Sequence, residues 1–254
     1  MSPTTQVWRA ARTPPLPMAR FLLLHSPLVG PLTLSPLAEA LERLGHSAAA
    51  PDLRSAVSAS GLSIPILRAL VVQSIADLHQ HDPLILAAHS GAGLYLPILA
   101  PGLALVGQVL IDAVVPPDAG SFTPSADFRA KLDRLVEADG HLPRWPQWWS
   151  EDVMAELVPD PEFRAAMSRE CPRLPISFYD RVIDVPASWA QPWAGYLRLS
   201  EAYEPQASTA AERGWPVSRR HGGHLDTATR PHEVARDLID LVQPFLQSRI
   251  RPLQ

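Results

Sequence analysis

The sequence has very little cysteine and lysine and no long apolar run, and each shortage excludes a class of protein. Cys171 is the only cysteine in 254 residues, so an intrachain disulfide and a multi-cysteine metal site are both ruled out. Lys131 is the only lysine, and the arginines are scattered, which argues against nucleic acid or an acidic membrane as a partner. No apolar stretch has the length of a signal peptide or a membrane span, so we expect a cytoplasmic protein.

The composition is that of a globular protein. Hydrophobic residues make up 46% of the chain and charged residues 19%, with a formal net charge of -4, and these values favour a buried core over disorder. The length suits one α/β domain, and we expect residues 1–254 to form a single domain. Residues 1–20 are polar and contain several prolines, which predicts a loose arm or a short edge segment.

Short apolar runs alternate with helical patterns through the first half of the chain. The predicted strands span residues 21–24, 47–51, 84–88 and 106–111. The predicted helices span residues 35–44, 63–79 and 92–100, and Ser35 is the expected N-cap of the first. Strands that alternate with helices predict βαβ units, and therefore an α/β fold with a mostly parallel sheet flanked by helices.

The middle of the chain interrupts this alternation. Residues 117–192 are rich in proline and tryptophan and contain helical stretches at 128–138 and 151–157, which indicates an insertion. The alternation then resumes, with predicted strands at 195–199 and 215–219 and predicted helices at 206–213 and 231–246.

One turn has the sequence features of a catalytic nucleophile. Ser90 lies between the third predicted strand and the helix that follows it, at a strand-to-helix turn where a nucleophilic serine takes a strained conformation. The residues two positions away on either side must then be small, and they are Ala88 and Ala92. The backbone N–H of Gly91 would point at a developing oxyanion. The alternative is an ordinary turn in which Ser90 only caps the helix.

Four stretches of the chain together resemble the α/β-hydrolase superfamily. They are Leu22-Leu23-Leu24-His25-Ser26, Ala88-His89-Ser90-Gly91-Ala92-Gly93, Val109-Leu110-Ile111-Asp112-Ala113-Val114-Val115-Pro116 and Gly222-Gly223-His224-Leu225. They are similar to the family's strand ending in His-Gly, its nucleophile turn, the strand before its lid and the loop of its catalytic histidine. The resemblance implies an α/β-hydrolase fold in which residues 117–192 form a helical lid over Ser90.

His224 is the histidine that we expect to act as the base for Ser90. It follows the last predicted strand and precedes the last helix after two glycines, as in the family that the chain resembles. His221 lies nearer the strand, and His89 would face the wrong way if the turn at Ser90 forms, so both are weaker candidates. A base near its working pH needs an acceptor on its other ring nitrogen, usually a carboxylate.

The sequence leaves the identity of that carboxylate open. In the family it usually lies a few residues past the strand that ends here near 199, and this alignment puts Tyr203 where an aspartate is expected. Glu201 and Glu204 flank that position, and Asp112 at the end of the preceding core strand could reach the same histidine. Asp112 and Glu201 are equal candidates, and Glu204 ranks behind them.

The loop after the first strand departs from the family pattern. The family takes a second oxyanion donor from the backbone of the residue after its His-Gly pair, and that residue is Pro27 here, which has no N–H. Either Leu28 donates together with Gly91, or the loop is rearranged, or the second donor is missing. Loss of one such donor costs roughly 100- to 1000-fold in turnover. Pro27 therefore favours a reaction that uses the Ser–His pair only to move protons.

Trp148 and Trp149 in the insertion predict an apolar substrate cleft over the serine. No spacing of His, Asp or Glu suggests a metal site, and no glycine-rich turn after a strand fits a dinucleotide, so we expect neither a metal nor a cofactor.

Three functions agree with these features. The first is a serine hydrolase of apolar esters or thioesters, the second is a cofactor-free lyase or cyclase, and the third is a non-catalytic protein that binds a small ligand. The expected partner in each case is a small molecule, and a homodimer is compatible with the sequence.

Overall fold

The structure is a computed structural model that describes residues 18–58, 61–187, 189–190 and 193–250. The predicted N-terminal arm therefore lies, up to residue 17, outside the described residues. The strands are β1 Arg20–Leu24, β2 Ser47–Ala49, β3 Val57–Ser58, β4 Gly61–Leu62, β5 Leu84–His89, β6 Gly107–Ile111, β7 Gly120–Phe122, β8 Ile183–Val185, β9 Trp193–Arg198 and β10 Val217–Arg219. The helices are α1 Ser35–Arg43, α2 Ile64–Ala76, α3 Leu96–Leu99, α4 Ala126–Leu135, α5 Glu151–Leu157, α6 Pro161–Glu170, α7 Glu204–Glu212, α8 Asp226–Thr229 and α9 Pro231–Ile250. None of the helices in these ranges is both long and apolar enough to cross a membrane.

Six of the described strands form one parallel sheet, in the order β10-β9-β6-β5-β1-β2. The chain leaves β1 for the edge strand β2 and returns to β5 on the other side of β1, so the direction of winding changes between β1 and β5. In open parallel sheets, ligands bind in the crevice at the carboxyl ends of the strands where this change occurs. The residues that follow β1 and β5 are therefore expected to border a binding site.

The central strands contribute alternate side chains to two apolar layers. In β1, Leu22 and Leu24 belong to the layer formed with α2, α3 and α7, whereas Phe21 and Leu23 belong to the layer formed with α1 and α9. All residues of β5 are buried, because helices cover both faces of a parallel sheet. Complete burial of a side chain such as Leu23 contributes about 1.5–3 kcal/mol. The two layers therefore hold β1, β5 and the starts of the loops that follow them.

Two helix starts differ from the sequence prediction. The prediction that Ser35 is an N-cap is wrong: Leu34 is the N-cap and Ser35 is the first residue of α1, with its hydroxyl donating to the Pro31 carbonyl over 2.9 Å. The predicted helix after the third core strand begins instead as a 3₁₀ helix, Ser90–Tyr95, and becomes α-helical only at α3. Two glycines lie in that segment, and glycine has a low α-helix propensity.

The segment between β6 and β9 contains α4, α5, α6 and the antiparallel pair of β7 and β8, a pair that the sequence did not predict. A small apolar cluster joins this segment to the main body, where it packs on Val29 after β1 and on Leu225 after β10. Its members from the segment are Trp145, Met154, Val158, Met167 and Cys171. The segment therefore rests on the two loops that follow β1 and β10.

A buried histidine after β1 makes the stability of the fold depend on pH. The ring of His25 is almost completely buried, its Nδ1–H donates to the Ser26 carbonyl over 2.9 Å, and its Nε2 accepts from the Leu53 N–H over 2.9 Å. Burial lowers the pKa of His25 to about 4, so the ring stays neutral in the folded protein. The unfolded chain, in contrast, binds a proton at this side chain below about pH 6.5.

The free energy of unfolding should therefore be highest above about pH 6.5 and should fall as the pH drops towards 4, because the unfolded state binds more protons. His25 alone should contribute a loss of about 1.5 kcal/mol between pH 6.5 and pH 5. Urea unfolding across this range should give a pH slope that is shallower by about one proton in His25→Asn than in the wild type. An unchanged slope in His25→Asn would contradict the prediction.

Candidate active site

The turn after β5 holds Ser90 in a strained backbone conformation. Ser90 has a φ of 60°, in the left-handed region that few residues other than glycine adopt. Ala88 and Ala92 are both completely buried on either side of it, so that larger side chains would overpack the turn. A Cβ on Gly93 would overlap the carbonyl oxygen of Val114. Small residues thus allow β5 to turn sharply and to present the Ser90 hydroxyl at the carboxyl end of the strand.

His224 lies against this hydroxyl. The loop between β10 and α8 carries it, and its Nε2 is 3.1 Å from Ser90 Oγ. Only 16% of the histidine side chain is exposed, because the surrounding loops cover most of the ring. With the hydroxyl donating to Nε2, the imidazole is positioned to accept the Ser90 proton.

The carboxylate of Asp112 occupies the other ring nitrogen of His224. Asp112 follows β6 and is completely buried, and His224 Nδ1–H donates to its Oδ2 over 2.8 Å. Ser200 donates to Oδ2 from its hydroxyl (2.5 Å) and to Oδ1 from its backbone (3.0 Å), and the Leu199 N–H donates to Oδ1 (2.8 Å). Four hydrogen bonds therefore fix the orientation of this carboxylate.

Backbone strain is concentrated at the same place. Asp112 has a φ of 43°, and it is the only non-glycine residue besides Ser90 in the described ranges with a positive φ. Residues held in such conformations cost of order 1–3 kcal/mol each and cluster at functional sites. Two strained residues that both contact His224 therefore point to a functional site at this histidine.

The charge of Asp112 determines the tautomer of His224. Burial by itself raises the pKa of Asp112, but the hydrogen bonds from His224 and Ser200, together with the attraction of His224, hold that pKa below its ordinary value. The ionised carboxylate can only accept hydrogen bonds, so His224 Nδ1 carries the proton. The lone pair of Nε2 is then free to face the Ser90 hydroxyl.

The two glutamates that the sequence also offered lie away from His224. Arg198 is almost completely buried at the end of β9, and it pairs through Nη1 with Glu201 Oε1 (2.7 Å) and through Nε with Glu204 Oε2 (2.9 Å). A buried guanidinium needs carboxylate partners, which is why both side chains turn towards the arginine. The structure thus brings Asp112 to the histidine and does not bring Glu201 or Glu204 there.

The rival histidines occupy different positions. The side chain of His221 is 90% exposed, and its Nδ1 lies 3.4 Å from Glu201. His89 is completely buried beneath the site, where burial lowers its pKa. Its neutral ring donates from Nε2 to the carbonyl oxygen of His224 over 2.9 Å and stacks on the His224 ring at 4.6 Å. His89 therefore supports the loop that carries His224, and neither rival contacts Ser90 through its ring.

Comparison with solved structures finds several proteins with the same architecture. An extracellular α/β-hydrolase from a Paenibacillus species, described as sharing structural and functional homology with a tobacco salicylic acid binding protein, matches with a TM-score of 0.67. Its sequence identity is 16%, and the match covers 88% of this chain and 98% of that one. The chain has the α/β-hydrolase fold. The fold predicted from the sequence is thereby confirmed.

Other α/β-hydrolase structures match to a similar degree. Polyneuridine aldehyde esterase matches with a TM-score of 0.64 at 17% identity, over 88% of this chain and 98% of that one. Tomato methylketone synthase I, in complex with 2-tridecanone, matches with a TM-score of 0.63 at 14% identity, over 90% and 99% of the two chains. No protein-family model and no curated protein matches the sequence.

The loops that supply oxyanion donors in α/β-hydrolases meet beside Ser90. A Cβ on Gly91 would lie 3.0 Å from Ser26 Oγ and 3.4 Å from Pro27 Cδ, so the turn and the loop after β1 are in contact there. The Leu28 N–H donates over 3.4 Å to Ser26 Oγ, which is a long hydrogen bond. Of the two predicted donors, Gly91 follows Ser90 directly and Leu28 lines the same small pocket as Ser90, but the Leu28 N–H is partly engaged within its own loop.

A large cavity opens above Ser90 and His224. Its volume is about 1910 Å³, well above the roughly 300–1,000 Å³ of ordinary ligand pockets. Trp148 and Trp149 both line it, as the sequence predicted for a substrate cleft, and Trp145 lines it as well. Within the described ranges, no group of three His, Cys, Asp or Glu side chains could hold a metal ion.

Tyr203 is a site residue to which sequence reasoning gave no role. It ends the 3₁₀ helix Glu201–Tyr203, and its hydroxyl lies 3.4 Å from Ser90 Oγ. Its ring is parallel to that of His224, with the centroids 4.9 Å apart and the planes at 1°. The signal for this residue was the sequence alignment itself, since Tyr203 stands where α/β-hydrolases usually carry the acid.

Proposed function

We propose that the protein is a serine hydrolase that cleaves an ester or thioester of an apolar small molecule through an acyl-enzyme on Ser90. The observation that carries this proposal is the continuous hydrogen-bonded path from Ser90 Oγ through both nitrogens of His224 to the buried carboxylate of Asp112. A nucleophile, a base and an orienting carboxylate in this geometry are the parts that acyl transfer requires.

The mechanism follows from the protons on these three residues. His224 Nε2 takes the Ser90 proton as Oγ attacks the carbonyl carbon, and Asp112 stabilises the imidazolium that forms. His224 then gives the proton to the departing oxygen or sulfur as its bond to carbon breaks. Water repeats the sequence on the acyl-enzyme, which releases the acid and restores the Ser90 hydroxyl.

The developing oxyanion would lie between the turn at Gly91 and the loop after β1. The Gly91 N–H, at the start of the 3₁₀ helix, is the first donor of the proposed site. The Leu28 N–H is the second, and it would have to exchange its long bond to Ser26 for a bond to the oxyanion. Because that bond measures 3.4 Å, its loss costs less than the loss of an ordinary hydrogen bond.

The cavity supports an apolar substrate of considerable size. Aromatic side chains from the segment 117–192 form part of its lining, and the segment packs on the loops after β1 and β10. In this proposal the segment acts as a lid that shields the acyl-enzyme from bulk water and contacts the acyl or alcohol group of the substrate.

A lyase or cyclase reaction is the second candidate, and the loop after β1 favours it. Pro27 has no N–H, and Leu28 is partly engaged by Ser26, so a reaction without a tetrahedral oxyanion would lose nothing there. A protein that only binds a ligand has less support, because the buried hydrogen bond between Asp112 and His224 serves proton transfer and is not needed for binding.

Labelling with a fluorophosphonate probe distinguishes these candidates. The purified wild type should form one covalent adduct per chain, which intact mass and peptide mapping should locate at Ser90. The Ser90→Ala variant should not label, although its circular dichroism spectrum should match that of the wild type. A folded wild-type protein that fails to label would contradict the hydrolase proposal and favour the lyase.

A further inference from the structure

The residue that replaces the usual acid of the fold is held firmly beside the nucleophile. Tyr203 follows Leu199 and Ser200, whose backbone N–H groups both donate to the Asp112 carboxylate. Its own N–H donates to the Ser200 carbonyl over 3.2 Å. The carboxylate that orients His224 therefore also fixes the start of the turn that carries Tyr203.

Tyr203 contacts both residues that take part in the proposed proton transfer, Ser90 and His224. The hydroxyl approaches Ser90 Oγ at 3.4 Å while His224 Nε2 approaches the same oxygen at 3.1 Å. The parallel stack of the two rings keeps the phenol beside the imidazole. A hydrogen bond of 3.4 Å is weak in the free protein, and catalytic hydrogen bonds are often long before substrate binds.

The phenol of Tyr203 keeps its proton at neutral pH. Burial raises the pKa of Tyr203, and the contact with Ser90 and the charge of Asp112 are smaller influences on it. Because the Ser90 hydroxyl donates to His224 Nε2, the Tyr203 O–H is the donor in its contact with Ser90 Oγ, and the protonated phenol does not compete with His224 for the Ser90 proton at neutral pH.

The sheet order indicates which substrate atom Tyr203 would meet. In the order β9-β6-β5-β1, the loop with Ser26 and Pro27 follows β1 on one side of Ser90, and Tyr203 follows β9 on the other side. The oxyanion site at Gly91 adjoins the β1 loop. The leaving group must lie near His224 Nε2, which protonates it, and therefore on the same side as Tyr203.

We infer that Tyr203 is a further catalytic residue, whose hydroxyl donates a hydrogen bond to the leaving-group oxygen of the substrate while His224 protonates that oxygen. This inference rests on the proposed hydrolase function. The Ser90 proton passes to His224 Nε2 as Oγ bonds to the carbonyl carbon, and it passes to the leaving oxygen as the carbon–oxygen bond breaks. Tyr203 keeps its own proton throughout and stabilises the negative charge that builds up on the leaving oxygen.

The test compares two esters of one acid that differ in their leaving group. Methyl hexanoate releases an alkoxide that needs stabilisation, and 4-nitrophenyl hexanoate releases a phenolate that does not. The Tyr203→Phe variant keeps the ring and removes only the hydroxyl. Its kcat/KM should fall by about 10- to 100-fold for the methyl ester, and by less than about 3-fold for the nitrophenyl ester, since a stable leaving group gains little from a hydrogen bond.

A second tyrosine provides the matched control. Tyr179 also lines the cavity, but its ring packs on Phe128 and Phe178, whereas the tyrosine hydroxyl beside Ser90 Oγ is that of Tyr203. The Tyr179→Phe variant should change kcat/KM for the two esters by the same factor. Circular dichroism and thermal melts should show that both variants keep the wild-type fold.

The other outcomes would overturn the inference, and they separate a wrong role for Tyr203 from a wrong proposed function. Equal losses for the two esters in Tyr203→Phe would show that the hydroxyl acts on Ser90 or on packing, and the leaving-group role would be wrong while the hydrolase proposal stood. No loss for either ester would show that the hydroxyl takes no part in the reaction, and here too the hydrolase proposal would stand. A wild type that cleaves neither ester and does not react with the fluorophosphonate would overturn the proposed function, and the role of Tyr203 with it.

Discussion

Replacement of Ser90 by alanine should lower kcat for ester hydrolysis by about 10⁶-fold, to the level that binding and oxyanion donors alone provide. In the proposed mechanism the oxygen of the Ser90 hydroxyl forms the acyl-enzyme, and no other serine or threonine hydroxyl of the described residues is hydrogen-bonded to His224 Nε2. Alanine fits the turn because its neighbours Ala88 and Ala92 are equally small. The measurement is single-turnover and steady-state hydrolysis of 4-nitrophenyl esters with acyl chains of increasing length.

The control for this variant is a serine far from the cavity. Ser248 is exposed on α9 and donates to the Phe245 carbonyl, so Ser248→Ala should keep the wild-type kcat. The hydrolase mechanism would be wrong if Ser90→Ala retained more than about a hundredth of the wild-type kcat, since true nucleophiles contribute far more. In that event a mechanism in which His224 alone moves the proton would account for the activity.

Replacement of Asp112 by asparagine should lower kcat by about 10⁴-fold, the effect expected when the base is held in the wrong tautomer. The hydrogen bonds around Asp112 predict how the asparagine side chain will be oriented. Two backbone donors, from Leu199 and Ser200, point at Oδ1, so the asparagine side-chain oxygen will occupy that position. The NH₂ group will then face His224 Nδ1, which must accept, and the proton will move to Nε2, where it opposes the Ser90 hydroxyl.

The sequence alternative Glu201 provides the comparison for this prediction. Glu201→Gln changes a carboxylate that is itself mostly exposed, and the buried Arg198 keeps its second partner Glu204, so its kcat should stay within about 2-fold of the wild type. Both variants should still bind substrate with similar KM, because neither touches the apolar lining of the cavity. A large loss in Glu201→Gln with a small loss in Asp112→Asn would show that the acid had been assigned to the wrong residue.

The local parts of the site could be predicted from the sequence because they depend on neighbouring residues. The apolar run of β5 and the small residues Ala88 and Ala92 around Ser90 specify a strand and a sharp turn within ten or so residues. Periodicity and turn chemistry act over such distances, and so the position of the predicted nucleophile emerged before any contact was known. The two glycines before His224 marked the predicted base through the resemblance to the α/β-hydrolase superfamily.

The carboxylate that orients His224 could not be identified from local sequence patterns, because its identity depends on contacts between distant parts of the chain. Asp112 lies 112 residues before His224, and it reaches the histidine only because β6 pairs with β9, where Ile111 lies opposite Leu197. Glu201 is closer to the histidine in sequence, but the buried Arg198 draws it away. A buried charge must be compensated wherever it lies, and the sequence does not show which arginine will be buried.

The sequence by itself therefore determined the α/β alternation, the turn at Ser90 and the tryptophan-rich insertion, since each follows from composition, local propensity and apolar periodicity, and the resemblance to α/β-hydrolases pointed to the loop of His224. Only the tertiary structure decided which carboxylate meets His224, and that Tyr203 stacks on its ring with the hydroxyl beside Ser90. Those two outcomes depend on strand order and register, which bring the ends of β5, β6 and β9 together at one edge of the sheet. The packing of two apolar layers selects that arrangement, and no short stretch of sequence specifies it.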